Sequence, residues 1–231
     1  MKKSSYEKTT YLAKVRRLRI LAEDSLRGWP LKIKRLEFIK LSANAIFKVT
    51  DSRNRKYQLR INPDNYHTKP ALMEEITWLN HIIKSTDIIV PKPIANNLDD
   101  YVTEGLHPSM PSKRLCVLFE WLPGKTRWHS INKDYAYTLG ALIGQLQKNG
   151  KSIPIKHRRY WDADGLVGTN KAKFYNVEKL SSATPREQKV ITEARRRSYR
   201  KLKDYEQTYL EKVGLIHGDM QPNNILIYKN H

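Results

Sequence analysis

Apolar residues near the start of the chain recur at the spacing of one helix face. Most stand three or four residues apart within residues 6–25, and they are Tyr11, Leu12, Val15, Leu18, Leu21 and Ala22. This periodicity predicts an amphipathic helix, and the Gly28-Trp29-Pro30 sequence is typical of the turn that ends one. We therefore expect residues 1–30 to form a helical segment ahead of the main fold.

Alternating apolar and polar residues then predict a block of strands. Residues 31–41 are strand-like, and the alternating stretches 45–50 and 56–61 flank a polar turn at 51–55, which indicates a hairpin. Helical spacing returns and predicts a helix of about four turns, with its apolar residues at Leu72, Ile76, Leu79, Ile82 and Ile83. One more strand is expected over residues 114–121.

Helical patterns dominate the second half of the chain. One predicted helix ends at Gly150, and another opens at residues 184–187, which form a capping box with proline at the first helical position. We expect that second helix to reach about Lys212. The sequence thus predicts an α+β fold of two lobes, one strand-rich over residues 31–121 and one mainly helical over 122–231. A cleft between them is the expected ligand site.

Composition indicates a globular protein of a reducing compartment. The 231 residues suffice for a sizeable core, and 39% of them are hydrophobic. The only cysteine, Cys116, stands in an apolar run, which is typical of a buried, unreactive thiol. The sequence offers no disulfide partner, no secretory signal and no apolar stretch near the ~20 residues that span a bilayer, so we expect a cytoplasmic protein with no membrane partner.

The formal net charge of +20 points to an anionic partner. Basic residues are spread along the whole chain, and the densest run, residues 195–203, is mixed with Glu193, Asp204 and Glu206 on a predicted helix. A solvated helix face explains that run more simply than a nucleic-acid site does, but nucleic-acid binding stays open as an alternative. An anionic substrate such as a nucleotide would also suit a basic cleft.

Residues 215–226 carry the candidate chemistry. Asp219 stands two residues after His217 and five before Asn224, and an apolar strand follows. Phosphoryl transfer needs a carboxylate that orients the acceptor hydroxyl and takes its proton, and it needs oxygen ligands for Mg²⁺. Asp219 and Asn224 are the residue types for those two roles. An ordinary polar loop with Asp219 capping a turn is the alternative that the spacing alone leaves open.

The sequence of this loop, His-Gly-Asp-x-x-Pro-x-Asn-Ile-Leu, resembles the catalytic loop of the aminoglycoside phosphotransferase/choline kinase-like family, which has the protein-kinase-like fold. Further segments resemble family features in the same order over about residues 35–231. They are the nucleotide-covering hairpin and third strand at 44–49 and 57–61, the helix with the acidic partner at 74–79, the segment at 90–94, the hinge at 114–124, and a stretch common in bacterial members at 161–168.

The resemblance implies a phosphotransferase that uses ATP and Mg²⁺. Arg60 would contact the ATP phosphates from the third strand. Glu75 would pair with Arg60, and Glu74 competes for that role. Ser42 and Asn44 would offer backbone N–H groups to the nucleotide, since the covering hairpin holds no glycine.

The same resemblance assigns the remaining site residues. Backbone groups of Glu120 and Leu122 would meet the adenine. In the catalytic loop, Asp219 would be the base and Asn224 would bind Mg²⁺. His217 would brace the loop through hydrogen bonds.

Members of this family place a second metal-binding Asp and further helices after the loop, whereas this sequence stops at His231. We therefore expect a truncated enzyme with little or no turnover and marginal stability, or a catalytically inactive nucleotide-binding pseudokinase. The acceptor implied by the resemblance is a small molecule with a hydroxyl group. Aminoglycosides, choline, homoserine and sugars all stay open.

Overall fold

The computed structural model describes residues 6–126, 132–158, 160–168, 172, 182–210 and 214–228. Its contacts divide the chain into two compact units, Met1–His157 with Ile216–His231, and Arg158–Leu215. The sequence predicts other boundaries, after residues 30 and 121. Those lobe boundaries stay a prediction. No helix in the described ranges is long and apolar enough to cross a membrane.

The first unit holds the sheet and the three helices of 16 to 18 residues. In chain order its elements are α1 (Tyr11–Leu26), β1 (Ile33–Leu41), β2 (Ala45–Asp51), β3 (Lys56–Ile61), α2 (Lys69–Ser85), β4 (Pro93–Ile94), β5 (Val102–Gly105), β6 (Arg114–Glu120), α3 (Lys133–Gly150) and the 3₁₀ turn Pro222–Asn224. The second unit holds α4 (Ala163–Val167) and α5 (Pro185–Thr208). These elements confirm the predicted α+β fold.

All pairings in the six-stranded sheet are antiparallel. The strand order is β1-β2-β3-β6-β4, and β5 also pairs with β6. The register places Arg60 of β3 between Ile46 of β2 and Val117 of β6. The hairpin of β2 and β3 is the predicted one, whereas the short strands β4 and β5 had no signal in the sequence pattern.

The turn between β2 and β3 is organised by one buried carboxylate. Asp51 accepts hydrogen bonds from the backbone N–H groups of Arg53 and Arg55, each at 2.9 Å, from Arg55 Nε at 2.7 Å and from the Tyr57 hydroxyl at 3.3 Å. Desolvation by itself would raise the pKa of Asp51, but the hydrogen bonds from Arg55 and Arg53 outweigh it and lower that pKa. The turn is therefore held by an ionised carboxylate.

Helix α1 packs on one face of this sheet. Its buried residues Leu21 and Ala22 share a core cluster with Phe47 of β2 and Leu59 of β3. Leu12, which also falls on the predicted apolar face, is exposed. The buried residues of α1 thus lie from Leu18 onward.

Helix α2 begins at a Thr68 cap, whose Oγ1 accepts the Ala71 N–H, and it has proline in its first turn. Its apolar side joins a second core cluster of Leu72, Ile76, Val102, Val117 and Phe119. The β6 residues in this cluster alternate with those that face α1. Helix α2 therefore packs against the opposite face of the sheet.

In the second unit, the capping box predicted at Thr184 and Glu187 is present, with both reciprocal hydrogen bonds. The helix α5 that it opens ends at Thr208, so the predicted end at about Lys212 was wrong. Helix α5 carries the dense basic run 195–203, and none of its described residues is buried. That run is therefore a solvent-exposed helix face.

The cysteine lies in the core of the first unit. Cys116 is buried, and desolvation raises its pKa to about 11. Its thiol therefore stays protonated near neutral pH. The prediction of a buried, unreactive cysteine is confirmed.

Candidate active site

An ion pair joins the sheet to helix α2. Arg60 Nη1 donates to Glu75 Oε1 across 2.7 Å. Strand alternation places Leu59 and Ile61 in the core cluster that includes α1, and it places Arg60 on the face where α2 packs. The two side chains are only 17% and 20% exposed, so their attraction is screened less than that of a surface pair.

The guanidinium of Arg60 is also packed against an aromatic ring. Arg60 Cζ lies 5.0 Å from the centroid of the Phe119 ring. Its Nε and Nη2 atoms are buried and have no hydrogen-bond partner among the described residues. Buried N–H groups are normally paired, so this guanidinium has unused capacity for an anionic ligand.

The neighbouring Glu74 is used elsewhere. Its carboxylate accepts the backbone N–H groups of Lys156 at 2.7 Å and His157 at 2.9 Å. Successive helical residues point about 100° apart, so one glutamate faces the sheet while the other holds the segment after α3. Glu75 stands three residues after the buried Leu72, and that spacing is the sequence signal that favours it for the ion pair.

In the hairpin between β1 and β2, one backbone N–H group that was predicted to contact the nucleotide is hydrogen-bonded within the hairpin itself. The Ser42 backbone N–H donates to the Asn44 carbonyl oxygen at 3.1 Å. Asn44 Oδ1 is buried, and none of the described residues donates to it. The nucleotide contacts of both residues stay a prediction.

The segment after β6 is fixed by backbone hydrogen bonds at its first two residues. The Glu120 N–H donates to the Lys92 carbonyl at 2.8 Å, and the Trp121 N–H donates to the Lys56 carbonyl at 3.1 Å. For Leu122 the described part of the structure gives no backbone hydrogen bond. The Glu120 N–H is thus occupied, and the adenine contacts of Glu120 and Leu122 stay a prediction.

The loop at residues 217–224 closes on itself through Asn224. Asn224 Nδ2 donates to the carbonyl oxygen of Asp219 and to its Oδ2, each at 2.8 Å. The Asp219 N–H donates to His217 Nδ1 at 3.3 Å. Gly218 between them has φ of 72°, which glycine adopts without strain. The loop carboxylate and amide are thereby held side by side on an exposed surface.

A single bridge holds the chain after this loop. Lys125 and Ile227 exchange two backbone hydrogen bonds, at 3.0 and 2.9 Å. The chain approaches so closely at Gly124 that a Cβ there would lie 3.0 Å from the Ile227 carbonyl oxygen. Gly124 also has φ of 130°. The segment after β6 and the segment after the loop are therefore coupled at a position that requires glycine.

The donor atoms suit the two groups that the resemblance implies. Unpaired guanidinium N–H groups of Arg60 suit phosphate oxygens. Because Asn224 Nδ2 is used on Asp219, the amide oxygen Oδ1 is left as a hard ligand of the kind that Mg²⁺ prefers. Within the described ranges, no three side chains of His, Cys, Asp or Glu form a cluster that could hold a metal.

The structure brings the predicted site residues into two groups. One is Arg60 with Glu75, and the other is His217 with Asp219 and Asn224. Sequence reasoning missed Phe119 as a neighbour of Arg60, and it missed the bridge at Lys125. Both contacts depend on strand pairing between distant segments, which no local pattern reports.

Comparison with solved structures shows the fold. The microcompartment-associated aminopropanol kinase superposes with a TM-score of 0.75 at 23% identity, over 90% of this chain and 64% of that one. Amicoumacin kinase, solved in complex with AMP-PNP, Ca²⁺ and Ami, superposes with a TM-score of 0.65 at 17% identity, over 92% of this chain and 61% of that one. The chain thus spans less than two thirds of the length of either kinase.

No curated protein matches the sequence significantly. The model of the phosphotransferase enzyme family, APH, matches residues 36–231. That range includes both groups of site residues and all six strands but the start of β1. With most of its length covered by the family model and a protein-kinase-like fold, the chain belongs to the phosphotransferase enzyme family.

Proposed function

We propose that this chain carries the nucleotide site and catalytic loop of an ATP-dependent phosphotransferase that acts on a hydroxyl group of a small molecule. The observation that carries the proposal is the Arg60–Glu75 pair, in which two buried guanidinium nitrogens, Nε and Nη2, have no acceptor among the described residues. A phosphate group satisfies such donors in a charge-assisted, directional way. Membership of the phosphotransferase family supports the same assignment.

In this proposal the nucleotide binds with its phosphates at Arg60 and its base against the Leu122 main chain. Glu75 holds Arg60 in place through the 2.7 Å hydrogen bond. Asn224 Oδ1 serves as one ligand of Mg²⁺, which when bound neutralises phosphate charge.

The chemical step is assigned to Asp219. Its Oδ2 accepts from Asn224, so Oδ1 is the oxygen that takes the proton of the acceptor hydroxyl. The acceptor hydroxyl oxygen forms a bond to the γ-phosphorus of ATP. The bond between that phosphorus and the β–γ bridging oxygen breaks, and ADP leaves with this oxygen. Since little covalent help is needed, the protein contributes mainly position and charge.

The acceptor is proposed only as a class. The two similar structures are kinases of aminopropanol and of amicoumacin, which are different small molecules. The site residues described above act on the nucleotide and the reacting oxygen, and none of them selects an acceptor. A panel of aminoglycosides, choline, homoserine, amino alcohols and sugars is therefore the substrate set to assay.

Nucleotide binding is the first test, because it does not require turnover. We expect calorimetry of the purified chain with AMP-PNP and Mg²⁺ to give saturable binding that Arg60→Ala weakens by about tenfold or more. Lys34→Ala removes the same charge from an exposed site of the same sheet and should leave the affinity unchanged. If wild-type protein does not bind AMP-PNP, the proposal is wrong.

Turnover is the second test. We expect ATP-dependent phosphorylation of at least one member of the acceptor panel when Mg²⁺ is present. AMP-PNP binding without any phosphorylated product would favour a nucleotide-binding protein that lacks catalysis.

A further inference from the structure

The contact between Arg60 and Phe119 follows from the register of β3 and β6. Gln58 is the direct partner of Phe119, and Arg60 is the partner of Val117, so Arg60 and Phe119 are diagonal neighbours on one face. Diagonal neighbours are within reach of long and aromatic side chains. The guanidinium carbon accordingly lies 5.0 Å from the ring centroid, within the range of a cation–π interaction.

The ring itself is fixed by the packing of α2. Phe119 is only 2% exposed and shares its core cluster with Leu72 and Ile76. Glu75 comes from the same stretch of that helix. One packed unit of the fold therefore supplies both contacts to Arg60, the carboxylate at one nitrogen and the aromatic ring against the guanidinium.

These two contacts leave part of the guanidinium unsatisfied. Nη1 is hydrogen-bonded to Glu75, whereas Nε and Nη2 are buried without an acceptor in the described part of the chain. An aromatic ring attracts the cation but does not use up its N–H groups as an oxygen acceptor would. The arrangement holds the charge in place and keeps its directional donors for another partner.

We infer that Phe119 is a positioning residue that holds the Arg60 guanidinium for the phosphates of the nucleotide. The inference rests on the proposed function, in which Arg60 binds those phosphates. It also gives a reason for arginine at this position, because a planar guanidinium stacks on a ring and keeps several donors, whereas an ammonium group offers a compact point charge. Phe119 acts through Arg60 and touches no reacting atom.

The test is a double-mutant cycle on AMP-PNP affinity, measured by calorimetry with Mg²⁺. We expect Phe119→Leu to weaken binding by about 2- to 30-fold, the range of a partly desolvated cation–π contact. In an Arg60→Ala background the same substitution should cause no further loss. Phe119→Tyr retains the ring and should retain most of the affinity.

A matched control separates this role from simple packing. Phe38 is another phenylalanine of the same sheet, it packs against the other core cluster, and its ring centroid lies 5.5 Å from that of Phe47. Phe38→Leu should lower the melting temperature as Phe119→Leu does, but it should leave AMP-PNP affinity unchanged. Phe119→Met, which fills much of the ring's volume with a flexible side chain, serves if the leucine variant does not fold.

The outcomes distinguish two failures. Absence of AMP-PNP binding by the wild-type protein overturns the proposed function. Normal wild-type binding with equal losses for the Phe119 variant in the wild-type and Arg60→Ala backgrounds overturns the positioning role alone. Equal effects of Phe119→Leu and Phe38→Leu on affinity overturn it as well.

Discussion

The two groups of site residues are built in different ways. Arg60 and Glu75 are less than a quarter exposed, and they lie on consecutive elements, β3 and α2, that pack together in the core. Asp219 and Asn224 are exposed, and their hydrogen bonds with described residues all lie within residues 217–224. Packing of a helix on the sheet sets the geometry of the first group, and a short stretch of chain sets that of the second.

This difference has a consequence for how each group tolerates change. A buried charge that loses its partner carries a desolvation cost. Substitutions of Arg60 or Glu75 should therefore reduce both the stability of the fold and the affinity for the nucleotide. Exposed polar groups contribute little to stability. Changes in the catalytic loop should therefore reduce activity while the protein remains folded.

The largest expected effect is that of Asp219→Asn on turnover. An amide cannot take the hydroxyl proton, so kcat should fall by about 10²–10⁴-fold with any acceptor that the wild-type protein phosphorylates. The melting temperature and AMP-PNP affinity should stay close to wild type, because this side chain is exposed. Steady-state kinetics beside a thermal melt measures both, and retained turnover would rule out Asp219 as the base.

The adjacent glutamates of α2 give the next largest effect and a matched pair. Glu75→Gln removes the charge that faces a largely buried Arg60, and it should lower the free energy of unfolding by about 1–3 kcal/mol and weaken AMP-PNP binding. Glu74→Gln affects an exposed contact with Lys156 and His157 and should lower stability by less than about 1 kcal/mol, with affinity unchanged. Urea unfolding and calorimetry measure the two effects, and the reverse ranking would contradict the structural assignment.

The same contrast explains which elements of the fold could be predicted from the sequence. Local patterns predicted the hairpin and the capping box at Thr184, because the contacts of each lie within a few residues along the chain. The roles of Asp219 and Asn224 stay a prediction. The two-residue strand β4 and the four-residue strand β5 were missed, and both are defined by their pairing with β6. Periodicity is too weak a signal in elements that short.

The pairing of Arg60 with Glu75 was predicted and is present, whereas the contact of Arg60 with Phe119 was not predicted. Arg60 and Glu75 were assigned from family resemblance, and the spacing from Leu72 is what separates Glu75 from Glu74. The position of Phe119 against Arg60 depends on the register of β3 and β6. A shift of one residue would turn that ring to the other face of the sheet, so the contact could be found only in the folded chain.

Gly124→Ala tests whether the bridge after the hinge matters for the exposed loop. The new Cβ would be strained at φ of 130° and would press on the Ile227 carbonyl, so we expect a loss of about 1–2 kcal/mol and a lower kcat. Gly140→Ala is the control, because its Cβ would meet no atom within 4 Å on helix α3. That variant should gain about 0.5–1 kcal/mol. Equal melting temperatures for the two variants would show that the close approach at Gly124 is not constraining.

The smallest expected effect is that of Asp51→Asn on stability. Asp51 is buried in the turn between β2 and β3. Its folded-state pKa is lowered by hydrogen bonds from Arg55 and Arg53, so its stabilising contribution is full above the pKa of the unfolded chain, about 3.9, and is lost as the pH falls through the folded pKa. Asp51→Asn lacks this contribution. It should be less stable than wild type at neutral pH, and the difference should narrow as the solution is acidified below about pH 4.

Asp87→Asn is the matched control, because Asp87 is exposed and makes no hydrogen bond with the described residues. Urea unfolding at a series of pH values should give parallel curves for wild type and Asp87→Asn, and converging curves for wild type and Asp51→Asn. AMP-PNP affinity of the Asp51 variant at neutral pH should stay near wild type, since the turn lies at the opposite end of β3 from Arg60. A pH-independent gap between wild type and Asp51→Asn would mean that the packing of the side chain, and not its charge, holds the turn.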